Sequence, residues 1–127
     1  MGKMILNGKE YSGSGSEWHE YSTDEKIVGK WVDGKPLYEK TVEIGYLSNN
    51  TSTPYPHGIS NIKRVVSHSG GAINSSGVYL PLPKVSPSGL QYAVDIAVTT
   101  SDIVISTGSD RSGYYGYVTL RYTKTTD

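Results

Sequence analysis

Tyr114, Gly116, Val118, Leu120 and Tyr122 fall on alternate positions of one uninterrupted run, with Tyr115, Tyr117, Thr119 and Arg121 between them. A period of two places one set on one face of a strand and the other set on the opposite face, so the run can bury its apolar side only as part of a sheet. Tyr115 and Tyr117 then point away from the apolar face. The same alternation recurs in Val42, Ile44 and Tyr46, in Tyr92, Val94, Ile96 and Val98, and in Ile103 and Ile105.

The intervals between these runs carry turn chemistry. Asp33-Gly34 separates Ile27–Val32 from Lys35–Ile44 and predicts a two-residue type I′ hairpin that pairs Trp31 with Pro36. Pro36 has no amide hydrogen, so its strand sits at an edge or turns that amide position outward. Ser48–Pro56, with two prolines, reads as a surface connection, and His57–Asn61 leads into a strand over Ile62–His68. Val78–Pro83 can only be extended, because each residue before a proline is pushed out of the helical region, and its prolines favour an edge. The last three alternating runs, about ten residues apart, predict an antiparallel meander. The total is an all-β fold, an antiparallel β-sandwich of about seven strands.

Met4–Leu6 and Lys9–Tyr11 flank Asn7-Gly8, a second hairpin signal, and Ser12-Gly13-Ser14-Gly15-Ser16 follows as a spacer. Such a hairpin is too small to hold alone in water and needs something to dock on. The expected organisation is a hairpin and linker over residues 1–20, serving as an anchor, and a sandwich module over 21–127.

Twelve basic residues balance twelve acidic ones among 127, so no global field draws nucleic acid or an anionic membrane. There is no cysteine, which removes disulfides, thiolate metal sites and cysteine nucleophiles together. No apolar run reaches the length of a signal-peptide core or a membrane span. The expectation is a protein made in the cytoplasm without a signal peptide.

No constellation of paired carboxylates, nor a nucleophile with its base, points to an enzyme, and His19, His57 and His68 lack metal-ligand spacing. No catalytic residue, metal or cofactor is expected. His57, just before Gly58, reads as a turn residue whose ring bonds a backbone group. The aromatic content is 11 Tyr and 2 Trp with no Phe, a choice that suits surfaces needing a flat apolar body with a polar tip. The candidate ligand-binding residues are Asp110, Arg111, Tyr114, Tyr115 and Tyr117: the tyrosines supply stacking surface, Asp110 an acceptor and Arg111 a forked donor. The competing reading has Asp110 and Arg111 merely closing their turn.

The run Tyr21–Tyr38 with its Gly29-Lys30-Trp31-Val32-Asp33-Gly34-Lys35-Pro36 core, the segment His57-Gly58-Ile59-Ser60-Asn61, and the ending Thr107–Gly113 with Tyr117–Lys124 together resemble a module that closes tail-fibre and other virion-appendage polypeptides of phages and prophages. The resemblance implies a β-sandwich tip, often trimeric, that contacts a host-surface or environmental glycan and reaches other virion proteins through its N-terminal segment. It assigns no binding residues. A fibre subunit usually carries a long shaft before its tip, whereas about twenty residues precede the module here. The expected function is a receptor-binding tip in the virion. The alternatives are a purely structural virion protein, such as a head fibre or a baseplate or capsid decoration, and a small polysaccharide-degrading enzyme.

Overall fold

The computed structural model describes residues 3–6, 9–12 and 18–127. Among the described residues the protein is all-β, with ten strands: β1 (Lys3–Leu6), β2 (Lys9–Ser12), β3 (Lys26–Lys30), β4 (Pro36–Tyr46), β5 (Ser52–Pro56), β6 (Ile62–Ile73), β7 (Tyr79–Pro81), β8 (Val94–Val98), β9 (Asp102–Thr107) and β10 (Tyr115–Lys124). A short 3₁₀ turn spans Leu90–Tyr92. β1 and β2 pair antiparallel, Leu6 facing Lys9, while Asn7-Gly8 and the Gly13–Ser16 spacer lie outside the described residues.

The other eight strands form two antiparallel sheets, one ordered β3-β4-β10-β6-β7 and one ordered β5-β9-β8. Their inner faces meet in one core, to which β4 gives Val42 and Ile44, β10 gives Val118, Leu120 and Tyr122, and the smaller sheet gives Val94, Ile103 and Ile105. This is the expected β-sandwich. Val118, Leu120, Tyr122, Ile103 and Ile105 have no exposed surface, each adding roughly 1.5–3 kcal/mol of hydrophobic stabilisation.

The meander does not form as such. β8 and β9 pair as a hairpin, but β10 crosses to the other sheet and takes the central place between β4 and β6. Alternation fixes which face of a strand is buried and is silent on which sheet receives it. Ser48–Pro56 is likewise more than a surface connection, since Ser52–Pro56 pairs with β9 as an edge strand. Pro54 and Pro56 are two apart, so their hydrogen-free nitrogens face the same edge. β7 is an edge strand as well, whereas β4 is interior and opens with Pro36.

The hairpin after β3 differs from the expected type I′ turn by one residue. Gly34 N donates to Trp31 O at 2.9 Å and Trp31 N to Lys35 O at 2.9 Å, so Lys30 rather than Trp31 faces Pro36. Only Gly34 has positive φ, at +81°. A type I turn followed by a left-handed glycine closes a three-residue loop, and Asp33 Oδ1 secures it by accepting from Lys35 N at 3.0 Å.

His57 stitches the two sheets together. Its ring accepts from Ile59 N at Nδ1 (3.0 Å) and donates to Thr99 O from Nε2 (2.9 Å), while its carbonyl accepts from Lys40 Nζ on β4 at 2.7 Å. The ring is buried, in keeping with a turn residue bonded to backbone.

Candidate functional site

The outward residues of the larger sheet form rows across β4, β10, β6 and β7. Glu39, Arg121 and Ser67 make one row, Thr41, Thr119 and Ser69 the next, and Glu43, Tyr117, Gly71 and Pro81 a third. The last row is Tyr46, Tyr115, Ile73 and Tyr79. The face therefore grades from charged, through hydroxyl, to aromatic.

Tyr46 reaches this face by a bulge. Gly116 pairs with Gly45 and Tyr117 with Glu43, leaving Ile44 as the extra residue, and Gly45 takes φ +82°. Ile44 is buried and Tyr46 exposed, although alternation alone puts both on one face. Tyr46 meets Tyr115 edge-on, ring centroids 5.2 Å apart at 88°. The Tyr79 ring lies over Gly71, where a Cβ would collide with it, and its hydroxyl donates to Gly70 O at 3.3 Å.

The chain ahead of β3 raises a wall beside these rows. Thr41 N donates to Ser22 O at 2.8 Å and Lys26 Nζ to Glu20 O at 3.0 Å, which ties Ser22 to β4 and Glu20 to the start of β3. His19 Nε2 comes within 2.9 Å of Glu39 Oε1, off the direction of a hydrogen bond, and packs edge-on against Tyr21 at 4.5 Å. Glu39, 2% exposed, is charge-paired on its other oxygen with Arg121 Nε at 2.8 Å. Opposite charge at that distance offsets much of the cost of burying the carboxylate.

Between wall and sheet lies an open groove of about 340 Å³, lined by Tyr21, Thr41, Glu43, Ser69, Tyr117 and Thr119. Its floor is made of hydroxyls, with Thr41 and Thr119 bonded to each other at 2.8 Å. Tyr21 and Tyr117 line the groove beside those hydroxyls, and Glu43 adds an exposed carboxylate. A smaller hollow of about 130 Å³ continues it toward Glu39, His68 and Arg121, sharing Tyr21, Ser69 and Thr119. Stacking surface beside donors and acceptors is what holds a hydroxyl-rich ring.

Of the five residues expected to bind ligand, Tyr115 and Tyr117 stand on this face, 47% and 42% exposed. The other three are occupied within the fold. Asp110 Oδ1 accepts from Ser112 N at 2.9 Å and from its hydroxyl at 2.6 Å, and these two bonds hold the carboxyl below the usual aspartate range. Arg111 Nη2 donates to Tyr92 O at 3.0 Å, and its guanidinium lies 5.8 Å from the Tyr114 ring centroid. Tyr114 packs against the core. The turn-closing reading of Asp110 and Arg111 matches these contacts.

The groove residues absent from that expected set are Tyr21, Thr41, Glu43, Ser69 and Thr119. For Thr41, Glu43 and Thr119 a signal exists: each alternates with core residues of β4 or β10. Nothing in the sequence places Tyr21 above the sheet. Among the described residues, no group of His, Asp and Glu is arranged to hold a metal ion, and no helix is long and apolar enough to cross a membrane. Comparison of the chain with protein-family models, with curated proteins and with solved structures finds no match.

Proposed function

We propose that this protein is a glycan-binding module, and that its ligand sits in the outer groove of the five-stranded sheet. The observation that carries the reading is that Tyr21 and Tyr117 line one groove together with the hydroxyls of Thr41, Ser69 and Thr119. In this reading Tyr117 stacks on a sugar ring face, Thr41, Thr119 and Ser69 exchange hydrogen bonds with ring hydroxyls, and Glu43 accepts from a hydroxyl at the rim. The role is binding rather than catalysis.

Together with the sequence resemblance to phage appendage modules, the groove supports a receptor-binding tip in a virion, assembled as a homotrimer and joined to other virion proteins through its N-terminal segment. A glycan array probed with the wild type and with Tyr117→Ala tests the binding reading. Specific retention of a glycan class by the wild type, lost in the variant, supports it. Equal retention by both moves the site elsewhere, and release of reducing sugar from bacterial envelope material replaces binding with hydrolysis. Light scattering during gel filtration tests the trimer, which a mass near 13.8 kDa contradicts.

A further inference from the structure

We infer that the ligand is an uncharged oligosaccharide of several rings, and that the row holding Tyr46, Tyr115 and Tyr79 is a second stacking station for it beyond the groove. The inference rests on the glycan reading above and adds the ligand's length and charge.

Length follows from the strand. Tyr115, Tyr117, Thr119 and Arg121 lie on one face of β10 at successive steps of about 7 Å, so the face they define runs for about 20 Å. A single pyranose stacked on Tyr117 leaves the row beyond it bare. Tyr46, Tyr115 and Tyr79 are 66%, 47% and 58% exposed there, and on β10 the row is the next outward step beyond Tyr117 of the groove. Tyr79 leans over Gly71 and so stands beside Tyr117. Each ring ends in a phenol hydroxyl, which suits a ligand with apolar ring faces and polar edges throughout its length.

Charge follows from the groups facing the groove. Glu43 is an exposed carboxylate on its rim, and among the described residues no basic side chain lines the groove; Arg121, in the adjoining hollow, has its charge paired through Nε with the buried Glu39. The lining of the groove is therefore net negative, and like charge disfavours carboxylated or phosphorylated chains.

Calorimetry on the full chain tests this with a cello-oligosaccharide and a chito-oligosaccharide series, disaccharide to hexasaccharide, and oligogalacturonates as the acidic probe. The expected result is hexasaccharide binding on the order of tenfold tighter than disaccharide binding, with no binding of oligogalacturonate. Tyr115→Ala is expected to bring hexasaccharide affinity down to that of the disaccharide, with Tyr79→Ala as a second variant should the first not fold. Equal affinity for short and long chains, a length advantage that survives both variants, or binding of oligogalacturonate overturns the inference while leaving the groove reading in place. Failure of every oligosaccharide to bind overturns both. A drop in the molecular mass of the assembled protein in either variant identifies the occupant of the aromatic row as a second copy of the chain, and also overturns the inference.

Discussion

Tyr122 donates its phenol hydroxyl to Glu25 Oε1 at 2.6 Å, joining a fully buried residue of β10 to a carboxylate just ahead of β3. Lys124 Nζ donates to the other Glu25 oxygen at 2.8 Å, and Tyr38 stacks on Tyr122 with centroids 5.8 Å apart. Burial pushes the Glu25 carboxyl up, but the bonds from Lys124 and Tyr122 and the charges of Lys124 and Lys40 outweigh it, so the group is held below its ordinary value of 4.5.

A carboxylate with a lowered folded-state pKa adds stability above the unfolded value, and that stability is lost as pH falls through the folded one. Glu25→Gln is therefore expected to lower the urea midpoint near neutral pH and to converge on the wild type as pH falls below the ordinary carboxyl value of 4.5 and through the lowered folded-state one. A gap that stays constant across that range rejects the coupling. Parallel urea titrations of the two proteins give the comparison.

Tyr122 shows the opposite sign. Burial first, then its bond to Glu25 and the charges of Glu25 and Tyr38, raise its phenol far above the ordinary value of 10. A raised pKa contributes stability below the unfolded value and loses it as pH rises. Alkaline titration by phenolate absorbance is expected to show one tyrosine that ionises only as the protein unfolds, absent in Tyr122→Phe.

Gly34→Val is expected to cost about 1 kcal/mol or more, because φ +81° is strained for a residue with a Cβ even though the space around it is empty. Gly29, also in open space but without positive φ, is the control: Gly29→Val is expected to leave the thermal midpoint within a few degrees. Equal losses in the two variants contradict the turn geometry.

His57→Ala is expected to destabilise by roughly 2 kcal/mol or more, since it leaves Ile59 N and Thr99 O without their ring partners in a buried site. Chemical denaturation measures this. A neutral result contradicts the two ring bonds, since the bond from Lys40 Nζ to the His57 carbonyl is kept in this variant.

Arg111→Ala separates the two readings of the turn after β9. With its guanidinium bonded to Tyr92 O and packed on Tyr114, the truncation is expected to lower the thermal midpoint while leaving glycan affinity unchanged. Tyr117→Ala is expected to do the reverse. Lost affinity in Arg111→Ala at an unchanged midpoint returns Arg111 to the ligand site.

Alternation made much of this fold legible. It places Val42, Ile44, Val118, Leu120 and Tyr122 inward and Tyr115 and Tyr117 outward, because burial on one face is a local property of a strand. The partner of each strand is not local. β10 joins the sheet of β4 rather than that of β9 through pairings over sequence separations that no short pattern encodes. The prolines of β5 conceal a strand for a related reason, since an edge strand lacks only the bonds on its outer side. The candidate site was half legible: the outward placing of Tyr115 and Tyr117 follows from parity, whereas Asp110 is bonded to Ser112 and Arg111 to the Tyr92 carbonyl, and Tyr21 arrives from a segment with no periodicity.

The extra residue at Ile44–Gly45 is what keeps Tyr46 in phase with the outer face. Straight pairing of the same residues would turn Tyr46 inward with Ile44, whereas a β4 one residue shorter at this point would bring Tyr46 opposite Tyr115 with no bulge at all. The left-handed turn of Gly45 therefore buffers the outer face against a single-codon change in the length of β4.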